Sequence, residues 1–433
     1  MSLKTSSPQL RRELGVVGAT VMGLGSIIGT GVFVSIGIAA GIAGSAVILA
    51  VVIGAIVATC NGLNSAQLAA NHPVSGGSYE YGYKYLNSWL GFTAGWMFLL
   101  AKSASAATAA LGFAGYFLNA TGLAERGLLV PLALAAVFVI TAIVLNGIRR
   151  SNRVNIVIVS ISVFSLVFFV LGGINTAIAV GSENLTPPFK GSSATVFHAS
   201  ALMFVAYTGY GRIATLGEEA KKPRKTIPRA IIVTMIVTML IYVGVATIAV
   251  ATIGAETLGE SVLSAQAAPL EVAVRSFGIP GGAQILAVGA IFAMLGVLLN
   301  LILGLSRVLL AMGRRRDMPR IFGRLNQAGT TPTAAVIAVS AIISVLVLIG
   351  NVKTTWSFSA FTVLIYYSIT NLAAFSLPRD QRLYPKWLSI VGLSACVFLA
   401  FWVEPFIWQL GLALIVAGLI WHGVAQNLAD ERR

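Results

Sequence analysis

Along this chain apolar residues do not alternate with polar ones at the period of a strand; they run in long blocks, each bounded by charge or by turn residues. The blocks fall at about 14 to 40, 44 to 68, 84 to 117, 127 to 147, 154 to 178, 193 to 217, 227 to 253, 281 to 312, 332 to 350, 355 to 377, 386 to 402 and 404 to 426. A helix needs about 20 mostly apolar residues to cross a bilayer, so the pattern predicts about twelve helical spans. Strands are not expected, because lipid admits only helices and closed barrels and the blocks lack strand alternation. Several blocks exceed the minimum length, which tilt, breaks or extension into water must absorb. Connections are mostly short. The longest, from about Gly254 to Pro280, intersperses Glu256, Glu260 and Glu271 with apolar residues and is expected to form short surface helices. The first thirteen residues are polar and basic, and no small-residue cleavage pattern follows, so the first block reads as an uncleaved span. No long linker or low-complexity tract interrupts the chain, and 1–433 is expected to be a single transmembrane domain.

Composition closes off the soluble classes. The chain is 57% hydrophobic and 10% charged with mean hydropathy +0.89, whereas soluble domains carry about a quarter charged residues. The formal charge of +15 could suggest a nucleic-acid partner, but its distribution assigns it to topology. With the N-terminus inside, 22 Lys and Arg fall on the inner side and four (Arg126, Lys190, Arg275 and Lys353) on the outer. Basic residues collect in cytoplasmic loops, so both termini are expected in the cytoplasm and no nucleic acid is expected. Cys60 and Cys396 stand far apart in apolar runs, which excludes a CxxC site and favours packing as small hydrophobes. The sequence carries no signal of oligomeric state.

Two blocks should not be continuous helices. The first reads GLGSIIGTGVF from Gly23, with glycines at 23, 25, 29 and 31 in mid-span, and each interior glycine weakens a helix by about 1 kcal/mol relative to alanine. The sixth reads FVAYTGYGR from Phe204, with Gly209 and Gly211 around Tyr210. Interrupted spans at corresponding places in two halves point to inverted repeats, and non-helical backbone at that depth survives only in protein or along a cavity. Amides at Gly29, Thr30 and Gly31, opening the second half-helix, would suit a carboxylate. Carbonyls of Ile27, Val205, Ala206 and Thr208, left by the first half-helices, would suit an ammonium. Together they would hold an α-amino acid zwitterion. The alternative is that these glycines serve only close helix packing.

The residues then resemble a known family. GSIIGTGVF at Gly25, PVSGGSYEYGYKYLNSWLGFTAGW at Pro73, NGIRRSNRVN at Asn146, FVAYTGYGRIATLGEEAKKPRKTIPRAI at Phe204 and SRVLLAMGRRRDMP at Ser306 with the TP at Thr331 follow one another in the family's order. From about Glu13 to Pro378 the chain resembles the amino acid, polyamine and organocation superfamily, most closely its permeases of the cationic-amino-acid-transporter and prokaryotic proton-coupled type. The resemblance implies an all-α membrane protein of about twelve helices with the LeuT-type five-plus-five inverted repeat. Helices 1 and 6 would be broken, residues 14–178 and 193–377 would form the two repeats, and 386–426 would add two peripheral helices. It places the carboxylate site on Gly29, Thr30 and Gly31 and the ammonium site on the carbonyls of Ile27, Val205, Ala206 and Thr208. Tyr207 and Tyr210, beside Gly209, take the place of the family's gating aromatics.

Two departures bear on coupling. Where proton-coupled relatives carry a lysine in span 5, this chain has Ser162, a coupling candidate that with Ser160 gives the only obvious hydroxyls for a sodium site, since the matching stretch of span 8, AIFAMLGVLLN from Ala290, offers none. Lys102 instead lies about eleven residues into span 3, where a charge costs on the order of 3 kcal/mol and usually faces a cavity. No Asp or Glu lies at comparable depth, so Lys102 is a candidate for proton coupling, gating or substrate contact; fixing the scaffold is the alternative. Arg212, directly after the second break, could meet substrate, close an inner gate or simply face water. Glu218 and Glu219 with Lys221 and Lys222 read as loop salt bridges. His72, His198 and His422 are isolated, and no HExxH, catalytic triad or carboxylate pair appears, so no enzyme, metal or cofactor is expected. The expected function is transport of α-amino acids, neutral ones favoured, by alternating access at the cytoplasmic membrane, with protons or exchange as the driving partner. A cationic permease and a non-transporting sensor of the same fold are the alternatives.

Overall fold

The computed structural model describes residues 14–72, 76–123, 127–147, 152–186, 192–214, 220–263, 267–327 and 329–430. In chain order the helices are α1 (Val16–Ile27), α2 (Thr30–Phe33), α3 (Ser35–Ala43), α4 (Val47–Asn71), α5 (Ser78–Tyr85), α6 (Ser88–Ala120), α7 (Leu129–Leu145), α8 (Asn152–Leu185) and α9 (Ser193–Tyr207). The second half holds α10 (Gly211–Ala214), α11 (Pro223–Ile253), α12 (Ala255–Leu263), α13 (Pro269–Arg275), α14 (Gly282–Arg315), α15 (Thr333–Leu348), α16 (Val352–Phe375), α17 (Lys386–Ala400) and α18 (Pro405–Asp430). Among the described residues there is no strand, only a single bridge between Leu14 and Ala220.

Helix limits follow the apolar blocks closely where local chemistry stops the chain. The third block was expected to open at residue 84. The structure ends the short helix α5 at Tyr85 and starts α6 at Ser88, because the Asn87 side chain caps it by accepting from the Leu90 amide at 2.9 Å. α14 stops where Arg316 turns left-handed at φ 70°, and the Asp317 amide folds back onto the Met312 carbonyl at 2.9 Å. That turn sends the Asp317 carboxylate into the bundle, where Tyr79 and Tyr83 of α5 donate to it at 2.6 and 2.8 Å. The loop helix α5 is thereby fixed to the end of α14.

Seven helical stretches, counting Thr30–Asn71 as one, are long and apolar enough to cross a membrane, and α1, α7, α15 and α17 are shorter apolar helices. Within the Thr30–Asn71 stretch α3 gives way to α4 through a 3-10 turn, Gly44–Ala46, that opens with Gly44 at φ 63°. In the most apolar part of α6 and of α16, 78% of residues are buried inside the protein, against 22% in α18. The first two therefore form the centre and α18 the rim. Large apolar side chains stay exposed on the rim, among them Phe164, Leu171, Val345 and Phe406, as a lipid-facing surface requires. Cys60 and Cys396 are free and buried, and Cys396 Sγ accepts from Asn61 at 3.3 Å. Asn61 also accepts from Asn371 at 2.6 Å, so this polar cluster joins α4, α16 and α17.

Candidate functional site

Both expected breaks are present. α1 ends as Ile28 leaves the helix with ψ 111°, Gly29 continues extended, and α2 restarts at Thr30. The second is tighter: α9 runs to Tyr207, a single 3-10 turn spans Thr208–Tyr210, and α10 resumes at Gly211. Glycine is required where the two breaks touch. A Cβ on Gly31 would stand 2.7 Å from the Cα of Ala206, and one on Gly209 would run into the carbonyl of Ser26. Neither neighbour can swing aside, since both are backbone.

Between the breaks lies a cavity of about 40 Å³, room for roughly three waters at 10–15 Å³ each. It is lined by Ser26, Ile27, Thr30 and Gly31 on one side and by Val205, Ala206, Thr208 and Gly209 on the other. As the first residues of α2, Thr30 and Gly31 present amides that no preceding turn can satisfy. The Thr30 hydroxyl is buried and has no hydrogen-bond partner. α6 contributes Lys102 and Ser105, α14 contributes Val297 and Leu301, and α16 contributes Trp356. Lys102 is buried, and its Nζ donates to Thr208 Oγ1 at 2.8 Å; that hydroxyl in turn donates to the Val205 carbonyl at 2.8 Å. Among the described residues no carboxylate lies within ion-pair distance of Lys102. A second indentation of about 280 Å³ lies beside Arg275 and Pro280, away from both breaks.

The structure thus brings Ile27, Thr30, Gly31, Lys102, Val205, Ala206, Thr208 and Gly209 around one space. Gly29 is set back, packed on Val297. Tyr207 and Tyr210 differ from expectation, because neither lines the cavity. Both are fully buried behind it: the Tyr207 ring packs on Tyr242 with centroids 5.0 Å apart, and the Tyr210 ring on Tyr367 at 5.4 Å. Ser162 is likewise remote; its hydroxyl bonds the Ile158 carbonyl at 2.8 Å and the Gly289 carbonyl at 3.3 Å, joining α8 to α14. Arg212 is exposed on α10, outside the cavity. Glu218 and Glu219 lie outside the described residues.

Two tyrosines were missed. The Tyr242 hydroxyl, from α11, sits against the carbonyls of Ile27 at 3.0 Å and Ala206 at 3.3 Å, so one phenol serves both breaks. Tyr367, from α16, donates to the Thr208 carbonyl at 3.2 Å. Broken helices leave carbonyls without amide partners, and burying such a group unpaired is costly. Tyr242 meets the Ile27 and Ala206 carbonyls from behind, leaving a second lone pair on each, whereas the Thr208 carbonyl also accepts the Gly211 amide. Tyr242 is the one phenol in a largely apolar stretch, VTMLIYVGVATIAV from Val237, and that isolation is the available signal.

A bundle of membrane-crossing helices around a small polar cavity between apposed breaks is the architecture of a membrane transporter. The family comparison makes this specific: the model of the family described as amino acid permease matches residues 18–429, and the chain belongs to that family. It is 36% identical over 430 residues to an uncharacterized transporter of Mycobacterium tuberculosis, covering 98% of this chain and 94% of the relative. It is 28% identical over 439 residues to the branched-chain amino acid permease BcaP of Bacillus subtilis, covering 95% and 91%. A cationic amino acid transporter of Arabidopsis thaliana is 25% identical over 431 residues, covering 94% of this chain and 72% of the relative. The family and these relatives are named as permeases and transporters, not enzymes.

Proposed function

We propose that this protein is a secondary transporter that moves α-amino acids, neutral ones in preference, across the cytoplasmic membrane by alternating access between its two breaks. The observation that carries the reading is the cavity itself, where the amide end of α2, the unpartnered Thr30 hydroxyl and the carbonyls of the second break converge. The α-carboxylate is assigned to the amides of Gly29, Thr30 and Gly31, with the Thr30 hydroxyl as a further donor. The α-ammonium is assigned to the carbonyls of Ile27, Val205, Ala206 and Thr208; those of Val205 and Thr208 already accept two hydrogen bonds each, so an ammonium there must displace one. At about 40 Å³ the space is smaller than an amino acid, so the walls must part to admit one.

Lys102 supports the neutral preference, since a resident positive charge in the wall repels a cationic side chain and no wall carboxylate offsets it. The branched-chain specificity in the name of the BcaP relative agrees with this, whereas the relatives named for cationic substrates stand for the competing reading. In this mechanism Lys102 also carries the coupling proton: charged, it holds Thr208 and the second break; neutral, it releases them. Tyr207, Tyr210, Gly209 and Arg212 then belong to the moving parts of the gate rather than to direct contacts. Twelve spans in a five-plus-five inverted repeat, with both termini in the cytoplasm, complete the proposed arrangement.

Uptake of radiolabelled leucine, alanine, arginine and glutamate into proteoliposomes, under a proton gradient, a sodium gradient or internal unlabelled amino acid, tests the reading. Leucine or alanine uptake exceeding that of arginine is expected; the reverse order would assign the cationic class, and binding without flux would indicate a sensor. Lys102→Ala is expected to lose its response to the proton gradient while keeping exchange. Uptake by that variant with an unchanged pH dependence removes the coupling role.

A further inference from the structure

The connection from Gly254 to Pro280, expected on the surface, instead folds α12 and α13 down onto the bundle. A Cβ on Gly41 would stand 2.8 Å from the Cα of Gly259, and one on Gly37 would stand 2.7 Å from Pro269. Both glycines belong to α3, the continuation of α2, so the two short helices form a lid pressed on one half of the first broken helix. Under this lid Glu271 is 1% exposed. Its Oε1 accepts from Arg275 at 2.8 Å, and Arg275 is 58% exposed; its Oε2 is buried with no hydrogen-bond partner among the described residues. One oxygen thus pairs with a solvated guanidinium and the other is left without a hydrogen bond.

A buried carboxylate that is only half satisfied carries an uncompensated desolvation cost, and a proton removes that cost by removing the charge. The neighbours offer little else. Tyr116 of α6 faces Glu271, but its hydroxyl already donates to the Phe33 carbonyl at 2.7 Å. Glu256 and Glu260 of α12 and Glu183 near the end of α8 are exposed; α16, which also packs on α12, brings Lys353, paired with Glu404 at 3.5 Å; and the parts of α3, α11 and α14 that meet the lid carry no charged residue. Burial accordingly pushes the Glu271 carboxyl above its ordinary value, with Arg275 pulling partly back.

We propose that Glu271 is a proton-binding site of the lid: its carboxylate takes a proton from solvent as α12 and α13 close on α3, and returns it as they lift. No bond other than O–H forms or breaks. Since the buried form binds the proton more tightly than a solvated one, acid on the lid side favours the closed lid, and the effect fades as pH rises through the raised value. Proton binding needs no assumption about substrate; its effect on access rests on the transport reading above.

Two measurements on the full chain test this separately from any flux. Infrared titration of the purified protein in lipid is expected to show a protonated-carboxyl stretch that persists above the ordinary glutamate range. Glu271→Gln should delete it, and Arg275→Ala, at an exposed position, should move it to higher pH. Should the glutamine variant not fold, the arginine variant alone decides. A band that survives Glu271→Gln, or that Arg275→Ala leaves in place, overturns the site. In a chain lacking Cys60 and Cys396, alkylation of Val262→Cys on α12 should slow as the lid side is acidified, by up to about tenfold per unit over which Glu271 titrates, and addition of Glu271→Gln should flatten that response. An identical pH response in both chains overturns the link to closure, whereas absence of amino acid flux would bear only on the transport reading.

Discussion

The two breaks use the same residue types to different ends. At the first, Ile28 and Gly29 leave the helix altogether, and the restart at Thr30 aims fresh amides at the cavity. At the second, the turn Thr208–Tyr210 stays tightly wound and its Thr208 carbonyl is taken up by the Gly211 amide and Tyr367, while Tyr242 bridges Ala206 and the Ile27 carbonyl of the first break. The first break is open backbone; the second is a satisfied hinge carrying a cation, Lys102, on its threonine. The difference lies in what each orphaned group meets. Amides at a helix start point forward into the cavity, whereas carbonyls at a helix end can be reached by a side chain from a neighbouring helix.

Three substitutions sharpen this contrast. The largest effect belongs to Gly31→Val: the neighbour 2.7 Å away is the Ala206 backbone, and overpacking against a partner that cannot yield costs about 1–3 kcal/mol or more. Amino acid uptake is expected to fall by more than about tenfold at 25 °C, which is what 1.4 kcal/mol amounts to. Normal uptake in that variant would mean that the breaks separate more freely than their packing implies. Next comes Tyr242→Phe, which strips a donor from both breaks. At about 0.5–1.5 kcal/mol per hydrogen bond, KM for the transported amino acid should rise several-fold, while Tyr367→Phe, touching only the second break, should cost less. If the order is reversed, Tyr242 does not tie the breaks together. The smallest effect is expected from Ser162→Ala, whose hydroxyl serves the α8–α14 contact: a thermal-melting loss of no more than about 1 kcal/mol and unchanged gradient dependence. Loss of proton or sodium dependence there would restore Ser162 as a coupling residue.

Much of this was legible in advance, and the failures share a cause. The glycines at 29, 31 and 209 marked both breaks, and Lys102 stood out as a charge too deep for lipid. The resemblance gives Tyr207 and Tyr210 a gating role beside the second break; their rings lie in the packing layer behind the cavity rather than in its wall, because adjacent residues on a helix point in different directions. Ser162 was assigned by motif position, but its hydroxyl is spent on carbonyls of α8 and α14. Glu271 was put at the surface because it is charged and lies in a connection; burial of its lid depends on the glycine contacts at Gly37 and Gly41, which are more than two hundred residues away in sequence.

Sequence alone was sufficient for the features that depend on composition and local backbone: an all-helical membrane protein, the helix limits to within a few residues, the two interruptions, and the family motifs. These follow from hydrophobic length and from glycine's weak helix propensity, neither of which needs a partner. Only the tertiary structure decided which groups meet: Lys102 on Thr208, Tyr242 across both breaks, Trp356 in the cavity wall and Glu271 under its lid. Each is a contact between helices distant in the chain, set by how the bundle packs, and hydrophobic blocks specify that a face is buried without specifying against what.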